Sequence, residues 1–280
     1  MSLPEIASAS DARVEKTLSQ STVHDVWENV YRNPASERLY ERIHDWISRH
    51  AGIPAGGRVL DIGCGIGQHS IRLARNGFRV VAADYSADRV AAARQNIARS
   101  GLGQEVEVEQ QDLARGLTYS EGAFDAVHCW GVLMHIPAWE SAIAELLRVC
   151  RPGGRIILYE ANSRGVDAIL TRLKYRVDRS RGRTRIKSVK ATALGVEYWV
   201  NTEAGDLFVR HSRIPALVAA FEKSGCRLRA RLPGEFTERF SKAGRLAPLV
   251  HAANAAWYSL RMPFLAHGNV LVFEKTSSGQ

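Results

Sequence analysis

The chain has 280 residues, a hydrophobic fraction of 45% and a formal net charge of +9, which suits one large or two small domains of a soluble globular protein. No basic segment leads into an apolar run at the start, and no apolar run approaches the roughly 18 residues of a membrane span. On these observations neither a secretory leader nor a transmembrane anchor is expected, and a cytoplasmic protein is predicted. The four cysteines, Cys64, Cys129, Cys150 and Cys226, are scattered without a C-x-x-C pair, which excludes a disulfide framework.

Taken in order, residues 1–12 are small, polar and unpatterned. A helical pattern then carries Val23, Val26, Trp27, Val30 and Tyr31 and ends near Asn33-Pro34. A second helix, 36–50, places Leu39, Ile43, Trp46 and Ile47 on one face. Residues 59–62 read as a short buried strand, followed by Gly63, Gly65 and Gly67 at alternate positions and a helix over 68–76 that stops at Gly77. A strand over 78–83 runs up to Asp84, and Ser86 caps a helix reaching Arg99 with Gly101 as its stop. Strands at 106–110 and 124–130, a helix at 138–150 and a strand at 155–159 complete an alternation that predicts a doubly wound, mostly parallel sheet.

Beyond Glu160 the pattern loosens. Residues 172–190 hold nine basic side chains (Arg172, Lys174, Arg176, Arg179, Arg181, Arg183, Arg185, Lys187, Lys190) against one acid, Asp178, which is nearly the whole charge excess. The segment reads as a solvated loop, a flap that attracts anions, or a patch for an anionic membrane surface. Two β runs, 197–200 and 207–210, form a hairpin. A helix at 212–222, a strand at 226–231, a helical stretch at 239–260 broken by Pro248, and a last strand at 269–275 follow.

The glycine turn after a buried strand marks a nucleotide-type site, because a backbone without Cβ atoms can approach a ligand closely. Its spacing is G-x-G-x-G, with Gln68 where a dinucleotide fingerprint has its third glycine. Asp84, about 20 residues on, suits ribose hydroxyls and would serve an NAD site equally well. Asp61, just before the glycines, would repel a pyrophosphate but welcome an ammonium or sulfonium, and Asp112 can accept from an exocyclic amine. All three lie at strand carboxyl ends and converge on one crevice, which favours a cationic adenosine ligand.

These residues carry a resemblance. Val59 to Gly67, Asp84, Gln111-Asp112-Leu113, Phe124-Asp125-Ala126-Val127 and Arg151-Pro152-Gly153-Gly154 resemble the ordered motifs of class I S-adenosylmethionine-dependent methyltransferases. The resemblance covers roughly residues 58–160. It implies a Rossmann-like α/β fold: a seven-stranded sheet with an antiparallel last strand, N-terminal lid helices and a cap inserted after the fifth strand. It implies S-adenosylmethionine as cofactor, held by Asp61, Gly63, Cys64, Gly65, Asp84, Tyr85, Asp112, Leu113 and Trp130. The corresponding division is 1–57 as a helical lid, 58–160 as cofactor-binding core, 161–212 as basic insertion and substrate cap, and 213–280 as completion of the core sheet. Trp27 and Tyr31 are candidate lid residues.

A sulfonium methyl is already activated, so a base is needed only for a weakly acidic hydroxyl or a protonated amine. His135, in Met134-His135-Ile136-Pro137 after the fourth strand, is the first candidate for that base, with His24, Tyr31 and Glu160 as weaker ones. The Cys129-Trp130-Gly131-Val132 segment lacks the Pro-Pro motif of nucleobase-amine methylation and the Pro-Cys of pyrimidine C5 methylation. No Cys/His cluster has zinc spacing, so no metal is expected, and His128 with His135 reads as a structural pair. The expected function is methyl transfer to an oxygen or nitrogen of a small, anionic acceptor. The alternatives are an RNA methyltransferase using 172–190, disfavoured because Tyr175 is the segment's lone aromatic, and a binding protein that holds the cofactor without turnover.

Overall fold

The structure, a computed structural model, describes residues 33–237 and 244–276 together with 14, 16–18 and 20. Most of the first predicted helix, with His24, Trp27 and Tyr31, lies outside the described residues. Helix α1, Pro34–His50, begins at Asn33, whose side chain accepts from the N–H groups of Ala35 and Ser36. It buries Leu39, Ile43 and Ile47, the stripe expected of an amphipathic helix laid on a sheet.

The nucleotide half then alternates as β1 (Arg58–Ile62), α2 (Gln68–Arg75), β2 (Arg79–Asp84), α3 (Ala87–Arg99), β3 (Val106–Gln110), β4 (Phe124–Trp130), α4 (Trp139–Val149) and β5 (Cys150–Ala161). After β5 come α5 (Val166–Ser180), strands β6 (Ile186–Thr192), β7 (Gly195–Thr202) and β8 (Gly205–Ser212), α6 (Ile214–Lys223), β9 (Cys226–Pro233), α7 (Ala247–Leu260) and β10 (Gly268–Lys275). Among the described residues, seven strands form one sheet in the order β3-β2-β1-β4-β5-β10-β9. Strands β1 to β5 are parallel, and β10 runs antiparallel between β5 and β9. Because β2 and β4 flank β1, the crossovers diverge there and open a crevice beyond the carboxyl end of β1.

Strand residues alternate between two buried layers, as the pleat requires. On β1, Leu60 and Ile62 join the layer formed with α4 and α6, whereas Val59 faces the layer formed with α1, α2, α3 and α7. The first layer is closed by Phe221 of α6 stacked on Phe273 of β10, with ring centroids 4.6 Å apart. Each such fully buried aromatic contributes on the order of 1.5–3 kcal/mol by removal from water.

The structure departs from the sequence expectation in three places. The basic segment is not a loop: it runs through α5, a turn and β6, the third strand of an antiparallel sheet with the expected β7–β8 hairpin. Pro248 starts a helix instead of breaking one, because a proline in the first turn has no N–H to waste there. Ser86 stands at the N-cap of α3, yet its side chain makes no capping bond. Its backbone N–H is held instead by Asp84 Oδ1 at 3.0 Å.

Candidate cofactor site and its surroundings

Gly63, Gly65 and Gly67 have φ values of 74°, 56° and 82°, in the left-handed region that favours glycine. At Gly63 the packing forbids anything else, since an added Cβ would lie 2.2 Å from Val132 Cγ2. The turn folds back onto β2. The N–H groups of Gly63 and Cys64 both donate to the Ala83 carbonyl, at 2.7 and 3.0 Å, and that of Gly65 donates to Asp84 Oδ2 at 2.9 Å. Donors that a pyrophosphate would need are thus already engaged, which sets this turn apart from a dinucleotide cradle.

Asp84 is 4% exposed and accepts from two backbone N–H groups, one on each oxygen. A carboxylate fixed by backbone donors in this way is a group able to accept from a hydroxyl. Its own carbonyl accepts from Gln111 N–H at 3.0 Å, tying the end of β3 to the end of β2. Asp112 follows at once. Its Oδ1 accepts from Ala114 N–H at 2.9 Å, and its Oδ2 lies 3.5 Å from Arg115. The Leu113 side chain is buried in the α4–α6 layer. The Tyr85 carbonyl accepts from Gln110 Nε2 at 2.8 Å. The Cys64 thiol is pushed well above the usual range by burial, with Asp84 and Asp61 adding to the effect; it stays protonated and is no nucleophile.

Asp61 is placed otherwise than its position before the glycines suggests. It is 1% exposed, accepting from Ser70 Oγ at 2.5 Å and bonded to His128 Nδ1 at 2.7 Å. Both oxygens are therefore turned into the α1–α2 layer, where Asp61 and His128 sit side by side in register. Two further histidines join them there, His44 from α1 and His69 from α2, with His69 Nδ1 3.2 Å from His44 Nε2. Burial, then the neighbouring His128, holds His44 well below the usual imidazole range; burial, then His44, does the same for His69. The Trp130 ring roofs the group, stacked on His69 at 4.6 Å and on Tyr159 at 4.5 Å. The sequence offers no local signal for this group, because its members are spread over four elements, β1, β4, α1 and α2.

His135 lies in a 3₁₀ turn, Leu133–His135, after β4. Its Nδ1 is 2.8 Å from the Phe208 carbonyl on β8. A carbonyl only accepts, so the ring proton is at Nδ1 and the basic nitrogen is Nε2. Arg210, also on β8, is buried and donates to the Ile136 and Pro137 carbonyls, each at 3.1 Å, while pairing with Glu197. The inserted sheet is thus clamped onto the loop at the carboxyl end of β4. Beneath it, Glu160 at the end of β5 is 0% exposed and accepts from Ser212 Oγ at 3.1 Å. Burial pushes its carboxyl up to about 8, against the pull of Ser212 and Arg210. Leu133, Trp139 and Leu217 line the small cavity around it.

Comparison with known proteins agrees with this geometry. The family described as "Methyltransferase domain" matches residues 59–154. A ubiquinone biosynthesis O-methyltransferase of Aromatoleum aromaticum is 37% identical over 118 residues, 42% of this chain and 49% of that protein. The chain spans about half the length of the first curated relatives it matches. Among solved structures, the Burkholderia thailandensis 1,6-didemethyltoxoflavin-N1-methyltransferase, bound to its acceptor and S-adenosylhomocysteine, superposes with a TM-score of 0.62. It does so at 17% identity, over 99% of this chain and 94% of that one. The [4+2]-cyclase SpnF gives the same TM-score at 19% identity, over 96% and 97% of the two chains. At such identities the likeness is one of fold. No described helix is long and apolar enough to cross a membrane. Residues 59–154 thus match the methyltransferase domain family, and the described fold as a whole is like that of the solved methyltransferase structure.

Proposed function

We propose that the chain transfers the methyl group of S-adenosylmethionine to an oxygen or nitrogen of a small, anionic acceptor. One observation carries the cofactor half of the reading: the Asp84 carboxylate is held at the end of β2 by the Gly65 N–H, beside a turn whose Gly63 and Cys64 N–H groups are spent on the Ala83 carbonyl of β2. The ribose is assigned to Asp84, the adenine to Asp112 and the Leu113 backbone. The methionine end is assigned to Gly63, Cys64 and Gly65, with Tyr85 and Trp130 as walls. Asp61, bonded to Ser70 and His128, acts on this end through the turn it precedes.

The acceptor is assigned to the crevice under the inserted sheet, beside His135 and Glu160, which makes 161–212 a substrate cap. The names of the relatives above point to small molecules, ubiquinone biosynthesis for one and 1,6-didemethyltoxoflavin for the other. The basic residues of the insert supply attraction for an anion. Several are engaged locally, Lys174 by Asp178, Lys187 by Asp206 and Arg172 by the Ser163 carbonyl, which leaves less charge for tracking a nucleic-acid backbone.

Calorimetry against S-adenosylmethionine, S-adenosylhomocysteine and NAD tests the first half. Binding of the two adenosine sulfur compounds without NAD is expected, and the reverse pattern ends the proposal. Transfer of a labelled methyl to carboxylated phenols and phosphorylated amines, run beside RNA at several salt concentrations, tests the second. Label in RNA with a steep salt dependence would move the reading to nucleic acid. With a hydroxyl acceptor in hand, His135→Gln is expected to lower kcat and to remove one limb of its pH profile, leaving cofactor affinity unchanged. An unaltered profile would take His135 out of the chemistry.

A further inference from the structure

We propose that His44, His69 and His128 form a binding site for a divalent transition-metal ion of the zinc class, in the α1–α2 layer behind the glycine turn. The proposal is independent of what occupies that turn. One candidate ligand atom from each histidine can be chosen so that all three lie within 4.8 Å of one another, and the pair His44 Nε2 and His69 Nδ1 is already at 3.2 Å. Three nitrogens bound tetrahedrally at about 2.0–2.1 Å stand about 3.3 Å apart. Closing the site therefore asks for a movement of about an ångström, not a refolding.

The surroundings orient two of the three rings as a metal site requires. His128 Nδ1 faces Asp61 Oδ1, a carboxylate held in turn by Ser70. His44 Nδ1 lies 2.8 Å from the Tyr40 carbonyl, which can only accept. Both rings thus carry a proton on Nδ1 and leave Nε2 as the candidate ligand atom, the carboxylate- or carbonyl-anchored arrangement that orients metal-binding histidines. The His128 ring is fully buried, and its Nε2 has no hydrogen-bond partner among the described residues. A buried polar nitrogen left unmet costs about 1–3 kcal/mol, and a metal bound there would remove that cost.

The donor set selects the ion. Three imidazoles suit Zn²⁺, Co²⁺, Ni²⁺ or Cu²⁺, whereas Mg²⁺ and Ca²⁺ demand oxygen. Asp61 supplies a compensating charge. Arg72, which faces His44 and His69, is neutralised by Glu37. The ion would staple α1 to β4 and to the first turn of α2, with a fourth position left for water or a small ligand under Trp130. It would stiffen the face on which the glycine turn rests, so metal and cofactor affinity are expected to be coupled.

The test is a cobalt titration of the full chain, freed of any affinity tag and stripped with chelator. The expected result is the visible spectrum of a low-coordinate Co²⁺ site saturating at one ion per chain, displaced by Zn²⁺. His69→Gln, at a partly exposed position in the first turn of α2, is expected to lose the saturating spectrum while keeping the wild-type far-ultraviolet circular dichroism. Asp61→Asn is expected to bind about 10- to 100-fold more weakly, the usual effect of losing an outer-sphere carboxylate. Absence of a one-to-one spectrum in the folded wild type would overturn the proposal. So would a folded His69→Gln chain that binds cobalt as the wild type does.

Discussion

Asp84→Ala is expected to weaken S-adenosylhomocysteine binding by about 2–4 kcal/mol, roughly 30- to 1,000-fold in Kd. Two contributions act in the same direction. The variant loses two charge-assisted bonds to the ribose hydroxyls, and it releases the Gly65 and Ser86 N–H groups that the carboxylate holds at 2.9 and 3.0 Å. Asp84→Asn separates them, because an amide oxygen can still accept from Gly65 while the negative charge is gone. Calorimetry on both variants, with thermal melting as a check on the fold, is the measurement. A loss of only a few tenths of a kcal/mol in Asp84→Ala would place the ribose elsewhere.

The second large effect concerns stability against pH. Glu160 is buried, and its carboxyl is pushed up to about 8 from an ordinary 4.5. The folded chain therefore keeps a proton that the unfolded chain releases as pH rises through this window. The protonated carboxyl's contribution is complete below 4.5 and is lost progressively up to about 8, to a total of about 4–5 kcal/mol. Glu160→Gln keeps an acceptor for Ser212 and has nothing to ionise. Its unfolding free energy is expected to match the wild type near pH 4.5 and to exceed it by several kcal/mol at pH 8–9. Denaturant unfolding of both chains across that range, plotted as a difference, cancels the other titrating groups. Those include His44 and His69, whose depressed values make their contribution complete above 6.5 and lost as pH falls. A flat difference curve would mean that Glu160 is ionised in the folded protein.

The sequence by itself determined the parallel half of the fold, and the reason is local. Residues 59–62 and 124–130 are short, largely apolar runs and 106–110 alternates Val with Glu, and the structure has strands at Arg58–Ile62, Val106–Gln110 and Phe124–Trp130. Gly63 and Asp84 were legible for the same reason, since a positive φ and a carboxylate at a strand end are properties of single positions. Strand β6 was not legible: Ile186–Thr192 has no clean alternation, because its register partner β7 supplies the pairing and only part of one face is covered.

What only the tertiary structure decided is where side chains point once strands lie side by side. Asp61 stands directly before the glycines in sequence, but the pleat of β1 sends its side chain away from Leu60 and Ile62 and into the α1–α2 layer, to Ser70 and His128. Three histidines separated by 25 and 59 positions meet there through the register of β1 with β4 and the packing of two helices. Glu160 likewise reads as an ordinary strand-end acid until the inserted sheet buries it beneath Ser212 and Arg210. A titration behaviour set by desolvation belongs to the assembled layers, and no stretch of chain carries it alone.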